Sequence, residues 1–522
     1  MNVILMILIS FLLAPSVRAE TKPEKNAAGK KTFSFRLMGE PETLDWNRGY
    51  TTMETYILMN LMDGLVNIDQ NLKVTPSLAE RWTVSADQKT YTFYLRKDVK
   101  WSDGVTLKAS DFVTSWKRLL SPRTGAHYGY MLYDIEGAED FAKGKQTDFK
   151  TVGVKALDAT TLQVKLTRSV ASFIYIPSFW VTFPLREDIL EKYGESWTKP
   201  GHMVTLGPYT LVTYEFDSKV VMKANPFYYG KKGNVEEVVA YIVHDASSAM
   251  SLYDSGKLDF FPDISSVDLK RLEGKKDLKT FPYLKTGYIG FLTTKFPMSN
   301  MHFRRAVTMA IDKKQIGSIL HGGQIPATSF IPPLMLGHSD KIGLPYDVSK
   351  AKAELKASGF DATTGAEMDL ILPNWDKTLL IGEFVQNELK KNLGLKVKLQ
   401  PFDHKTFRAQ LDLGVFGLFT GSWSADYPDP DNFMSVFIST GGNNRTGWKN
   451  TLYDQKILDA RGMKDPKARE KIYFDAQKLM LETDTIMTPI YYEPNIVLLK
   501  DRVKGLELNP LNFLNLRNVD LK

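Results

Sequence analysis

The sequence predicts a mixed α/β protein of two or three domains, and three observations carry that expectation. The chain has 522 residues, more than a single hydrophobic core usually supports. Its apolar residues alternate between period-two runs and helical spacing. Its 43% hydrophobic and 24% charged residues are those of an ordinary globular protein. Along the chain, Tyr91, Phe93 and Leu95 alternate with polar neighbours and predict a half-buried strand. Leu162, Val164 and Leu166 repeat that pattern, and residues 218–225 form a third case. Residues 110–120 have helical spacing, and 303–320 predict one continuous helix ending before Gly322 and Gly323. Asp465 and Pro466 form an N-cap and N1 pair that opens a helix carrying Ile472, Ala476 and Leu479.

The N-terminus predicts export. Residues 3–14 form an apolar run, too short to span a bilayer comfortably. Val17 and Ala19 follow at the −3 and −1 positions of a small-residue cleavage site, so residues 1–19 read as a signal peptide. Residues 20–31 are a polar leader, and no later segment has the length and apolarity of a membrane span. With no cysteine in the chain, disulfides, thiolate metal sites, a cysteine nucleophile and a lipidated anchor are excluded. An exported, unlipidated chain fits the periplasm. With Arg18 removed, 66 basic against 60 acidic residues leave +6, without a dense patch, and no nucleic-acid partner is expected.

Catalytic and metal motifs are missing. There is no nucleophile elbow, H-E-x-x-H helix, P-loop or G-x-G-x-x-G turn. The seven histidines, at 127, 202, 244, 302, 321, 338 and 404, lack metal-ligand spacing. The acidic run 426–431 lacks the glycine and terminal glutamate of a calcium loop, and turn chemistry accounts for it. No cofactor is called for.

Residues 76–122 are the most specific stretch: an L-A-x-x-W opening, an alternating strand, a K-x-V-x-W-S-D-G turn and an A-x-D-F helix start. This order resembles the extracellular solute-binding proteins of the peptide and nickel class, the receptors of ABC importers. Further blocks match in order at 39–46, 206–214, 225–230, 253–260, 303–316, 421–433 and 488–506, so the resemblance covers about 32–522. The W-x-A-D-Y block at 423–427 is most similar to the oligopeptide-binding branch. The resemblance implies an α/β, two-lobed periplasmic-binding-protein fold of the class with an extra subdomain, its lobes joined by a two-strand hinge. On it, residues 20–59, 191–282 and 491–522 form the ligand-contacting part of the first lobe. Residues 60–190 form the extra subdomain, with no chemistry of its own, and 283–490 the second lobe. The hinge crossings fall near 282–291 and 488–494.

The implied partners are a short peptide and an inner-membrane ABC permease, with the receptor acting as a monomer and not as an enzyme. A receptor for many peptides reads what they share, main-chain amides and charged ends, and an exposed strand edge serves that purpose. Gly421, Ser422 and Ser424 leave room for a second backbone, Trp423 is a rigid wall, and Met38, Gly39 and Glu40 are the matching stretch of the first lobe. Asp426 stands where the family's peptide receptors place the carboxylate for the ligand's α-ammonium. Its other reading is a cap on the turn that follows. Tyr130, Tyr288 and His404 fall where relatives contribute cleft-lining rings. For the ligand's carboxyl end no basic residue lies just before Trp423, leaving Lys377 and Arg408. The same fold carries nickel chelates, haem, sugars and cell-wall peptides, which stay open. A hydrolase using Asp426 needs a second group in reach, and only Asp429 and Asp431 lie near in sequence.

Overall fold

The computed structural model describes residues 30–364, 366–506 and 508–522. The expected signal peptide, 1–19, and all but the last two residues of the polar leader lie outside the described residues.

Three sheets organise the chain. A seven-stranded sheet runs in spatial order Leu278–Phe281, Asn495–Leu499, Phe260–Pro262, Thr32–Leu37, Glu237–Ile242, Lys219–Ala224 and Tyr209–Glu215. Thr32–Leu37 pairs in parallel with both of its neighbours. Such a central strand is covered on both faces, and five of its six residues are buried in succession. A six-stranded sheet contains Ile325–Pro326, Met487–Tyr492, Lys285–Phe291, Leu418–Ser424, Glu367–Pro373 and Lys396–Phe402. Here Glu367–Pro373 and Lys396–Phe402 are parallel, joined by the crossover helix Asp376–Leu393. A four-stranded sheet is built from Ala79–Val84, Thr90–Leu95, Thr161–Lys165 and Val154–Ala156. The chain passes from the seven-stranded to the six-stranded sheet between Phe281 and Lys285, and returns between Tyr492 and Asn495.

Local chemistry explains most elements. Thr90–Leu95 is a strand whose Tyr91, Phe93 and Leu95 are buried while the intervening residues are not, as their alternation predicts. Helix Ala109–Leu120 starts where the Asp111 carboxylate accepts the Lys108 amide at 3.0 Å and the Trp101 indole N–H at 3.1 Å. The preceding turn carries Gly104 at φ +88, a backbone region that side chains with a Cβ rarely enter. Asp465 accepts from the amides of Lys467 and Ala468 and opens helix Pro466–Lys478.

One expectation fails. Residues 303–320 do not form one helix. Met301–Met309 ends, a turn at Lys313–Gln315 intervenes, and a short helix Ile316–Leu320 follows. The Asp312 side chain accepts from the Lys314 amide and starts a new turn, so its local hydrogen bond competes with helix continuation.

The six-stranded sheet has two different faces. Ile289, Phe291 and Leu418 pack with Phe303, Val307, Val385 and Leu389 in one core. Tyr288, Phe419 and Trp423 belong to the opposite face, which is continuous with the core of the other sheets. Rings on this face sit over glycines on neighbouring strands. Tyr288 is opposite Gly421 and Phe419 opposite Gly290. A Cβ on Gly421 would come within 2.4 Å of the Tyr288 ring, and one on Gly290 within 2.1 Å of Phe419.

Candidate functional site

Strand Leu418–Ser424 pairs antiparallel with Lys285–Phe291 along its whole length. On its other edge it pairs with Glu367–Pro373 only at Leu418 and Phe419. Among the described residues, Thr420–Ser424 therefore presents an edge with no strand beside it. Edge N–H and C=O groups need partners, and an extended chain supplies them.

Two cavities flank this edge and share Trp423 and Asn443 in their walls. The first, about 590 Å³, is lined by Met38 and Met53 from the chain's first strand and helix region, by Asp263 just after strand Phe260–Pro262, and otherwise by residues between 285 and 493. Tyr288, Lys377, His404, Gly421, Ser422 and Trp423, all expected at the site, line it together with Met38. The His404 ring stacks against Trp375, its centroid 5.4 Å away. The second cavity, about 780 Å³, is lined on one side by Tyr130, Met131 and Asp134, and on the other by Trp423, Asp426, Asn432 and Thr440.

Three expected residues line neither cavity. The Glu40 carboxylate accepts the Tyr214 hydroxyl and, at 2.9 Å, the Asp217 amide. Gly39 lies against His244, 3.9 Å from where a Cβ would sit. Ser424 accepts the Tyr283 hydroxyl at 3.0 Å, beside the crossing between sheets.

Asp426 is held by a small network. Asn432 Oδ1 accepts the Trp423 indole N–H at 2.9 Å and the Asp426 amide at 3.1 Å. Asn432 Nδ2 donates to Asp426 Oδ2 at 3.3 Å, and the Tyr128 hydroxyl donates to Oδ1 at 3.4 Å. Among the described residues no cation pairs with this carboxylate. Burial pushes its pKa up to about 6, against the smaller opposing effect of the two hydrogen bonds. Burial first, and then the Asp426 charge, hold the Tyr128 hydroxyl far above its ordinary value, so it remains a donor.

The acids after it do more than turn the chain. Asp429 and Arg469 form a buried two-bond pair, at 2.6 and 2.8 Å, and Asp431 accepts Arg461 Nε at 2.6 Å. Asp429 also caps helix Pro430–Met434, which carries Asn432. Two buried ion pairs thus fix the loop that aims Asp426.

Sequence reasoning missed Tyr128, Asn432, Lys285, Glu493 and Arg445. Glu493 is buried between Lys285, at 3.5 Å, and Lys377, which donates to its other oxygen. Asn432 lies inside the matching block 421–433 and was the one with a readable signal. Among the described residues no group of three or more His, Cys, Asp or Glu is placed to hold a metal ion, and no helix is long and apolar enough to cross a membrane.

This is the two-lobed fold and inter-lobe cleft of a solute-binding protein, and residues 73–445 match the family described as bacterial extracellular solute-binding proteins, family 5. The chain belongs to that family. It is 31% identical over 523 residues to a protein of Escherichia coli named probable deoxycholate-binding periplasmic protein YgiS, covering 98% of this chain and 97% of that one. It is 30% identical over 530 residues to the periplasmic oligopeptide-binding protein OppA of Salmonella typhimurium, with the same coverage. Among solved structures, Haemophilus influenzae OppA in complex with RPPGFSPFR matches with a TM-score of 0.80 at 26% identity, covering 94% of this chain and 99% of that one. The Escherichia coli murein tripeptide binding protein MppA also gives 0.80, at 28% identity and 95% and 99% coverage.

Proposed function

We propose that this protein is a periplasmic receptor that captures short peptides between two closing lobes and hands them to an ABC permease in the inner membrane. The observation that carries the proposal is the unpaired Asp426 carboxylate at the end of the free edge Thr420–Ser424. A peptide laid on that edge finds main-chain partners along it and an opposite charge for its α-ammonium at the end. An enclosed ammonium requires such a partner because it has lost its water. The names of its relatives support the same ligand class.

The cap reading and the ligand reading of Asp426 are compatible. Its amide and one oxygen brace the turn through Asn432, while Oδ1 meets only the Tyr128 hydroxyl at 3.4 Å. Tyr128 comes from the 60–190 region, so we assign that region a role in the ligand cavity as well as in the fold. The crossings at Phe281–Lys285 and Tyr492–Asn495 serve as the hinge. A receptor that binds without reacting fits the engagement, among the described residues, of the acids near Asp426: Asp429 by Arg469, Asp431 by Arg461 and, across the cavity, Asp134 by Arg168. The protein acts as a monomer and is delivered by cleavage of residues 1–19.

A second reading has one observation in its favour. The cavity beside Gly421 combines Met53, Ile381, Phe407, Leu411 and Ile490 with several cations, which also suits an apolar acid such as deoxycholate. Native mass spectrometry of the protein as purified from cells separates the two. Adducts with peptide masses and fragments support the proposal, and a steroid mass replaces it.

A further inference from the structure

Away from the two crossings, hydrogen bonds run directly from the 60–190 region to the 283–490 unit. The Tyr128 hydroxyl donates to Asp426 at 3.4 Å, the Ala171 amide to the Arg461 carbonyl at 3.0 Å, and Lys464 Nζ to the Ala86 carbonyl at 2.8 Å. Met38, Met53 and Asp263, which line the cavity beside Gly421 from before the first crossing, make no hydrogen bond or ion pair with that unit among the described residues. Ala86 lies in the turn between strands Ala79–Val84 and Thr90–Leu95, and Ala171 lies in the loop that follows strand Thr161–Lys165. The two loops are tied to each other. The Leu166 amide donates to the Lys89 carbonyl at 2.7 Å, and the Ser169 hydroxyl donates to Gln88 Oε1 at 3.4 Å. Together they meet the C-terminal end of helix Thr451–Gly462, where a Cβ on Gly462 would lie 3.6 Å from the Ser169 carbonyl. The last carbonyls of a helix have no partner within it, and here the Ala171 amide supplies one from another part of the chain. The same Arg461 donates from Nε to Asp431 at 2.6 Å, and the next residue, Asn432, braces Asp426. One residue thus has its main chain in this contact and its side chain in the loop that aims Asp426.

We propose that the 85–89 turn and the 168–172 loop form a latch, which grips the end of helix Thr451–Gly462 on closure and holds the cleft shut. This rests on the closing lobes of the reading above and not on its peptide. With the cleft open, the Ala171 amide, the Arg461 carbonyl, Lys464 and the Ala86 carbonyl are hydrated. Each bond gained on closing replaces bonds to water and is therefore modest. Two of them bias an open–closed equilibrium by roughly tenfold, enough to slow a ligand's escape without preventing its release. The groups involved are main-chain atoms and one lysine, none of which touches a ligand in the cleft, so the latch serves any ligand the cleft accepts. Through Arg461, fixing the Asp426 loop and seating the latch favour each other. The four-stranded sheet, expected to have no chemistry of its own, acquires a task as the support of this jaw.

The chain has no cysteine, so a pair introduced into the mature protein reports this contact alone. Ser169→Cys combined with Gly462→Cys puts one thiol on each side of it. The expected result is a crosslink on oxidation or with a short bis-maleimide. By small-angle scattering, the linked ligand-free protein should have a smaller radius of gyration than the same protein reduced. Adding Lys464→Met, which removes one latch bond and no ion pair, should slow crosslinking by about threefold or more while the melting temperature stays unchanged. No crosslink, equal radii of the linked and reduced forms, or a crosslinking rate indifferent to Lys464→Met overturns the latch. Tri-alanine separates the latch from the peptide reading. Faster crosslinking in its presence, with release roughly tenfold slower from protein loaded and then linked, supports both. Equal release from the linked and reduced forms overturns the latch. If tri-alanine does not bind, that result counts against the peptide reading, and the radii and crosslinking rates alone decide the latch.

Discussion

At the scale of single residues, Asp426 is a carboxyl whose charge is costly in the ligand-free protein. Its pKa of about 6 comes from burial without a cation. The groups facing it are Tyr128 and Tyr130 from one side and Asn432, Tyr427 and Asp431 from its own loop, with Asp431 already held by Arg461. Binding an ammonium requires the ionised form, so affinity for free-amine peptides should fall about tenfold per pH unit below about pH 6 and level off above it. Titration calorimetry from pH 5 to 7.5 checks this, and Asp426→Asn should flatten the curve. The stability effect has the opposite sign. A carboxyl whose folded pKa lies above its unfolded one stabilises the ligand-free protein at low pH, and that contribution is lost as pH rises to about 6. Trp423 and Asp426 were legible in the sequence because they sit in one short block with a distinctive order. Tyr128 was not, since 298 residues separate it from Asp426 and only folding brings the two together.

At the scale of elements, the 426–434 loop and the strand before it are built to hold position. The Asp429–Arg469 pair is buried and two-bonded. Removing one partner strands a charge in the interior, so Arg469→Met should destabilise the protein by roughly 3–5 kcal/mol. Denaturant titration followed by tryptophan fluorescence measures that loss, and adding Asp429→Leu should restore a large part of it. Gly421 shows how an element's composition has a reason the sequence conceals. Its small size suggested space for a ligand backbone, and in the fold the Tyr288 ring already occupies the position of a Cβ, 2.4 Å from it. Gly421→Val should therefore displace Tyr288, cost about 1–3 kcal/mol of stability and weaken peptide binding. A variant of unchanged stability and affinity would refute that packing. Strand alternation at 90–95 was readable from periodicity alone, whereas the break at Asp312 was not, because one side-chain hydrogen bond outweighed a helical pattern.

At the scale of the whole molecule, the candidate site is made by segments that are remote in sequence and joined through three sheets. The alternation of strands and helices made the α/β class readable, and the family blocks made the two lobes readable. The wall of the cavity beside Gly421 was not, since it joins helix His404–Leu413 to Arg445, which the Asp412–Arg445 ion pair brings together only in the fold. A cleft closing about a hinge should contract on binding, so small-angle scattering is expected to show a smaller radius of gyration with a bound peptide than without. The central claim is that Asp426 pairs with a peptide's α-ammonium. The most direct measurement is a calorimetric titration at pH 7.5 of one peptide and its N-acetylated twin against the wild type and Asp426→Asn. Acetylation or Asp426→Asn should each cost the wild-type interaction roughly 2–5 kcal/mol, and Asp426→Asn should not distinguish the two ligands. Equal affinity of the wild type for both peptides would contradict it.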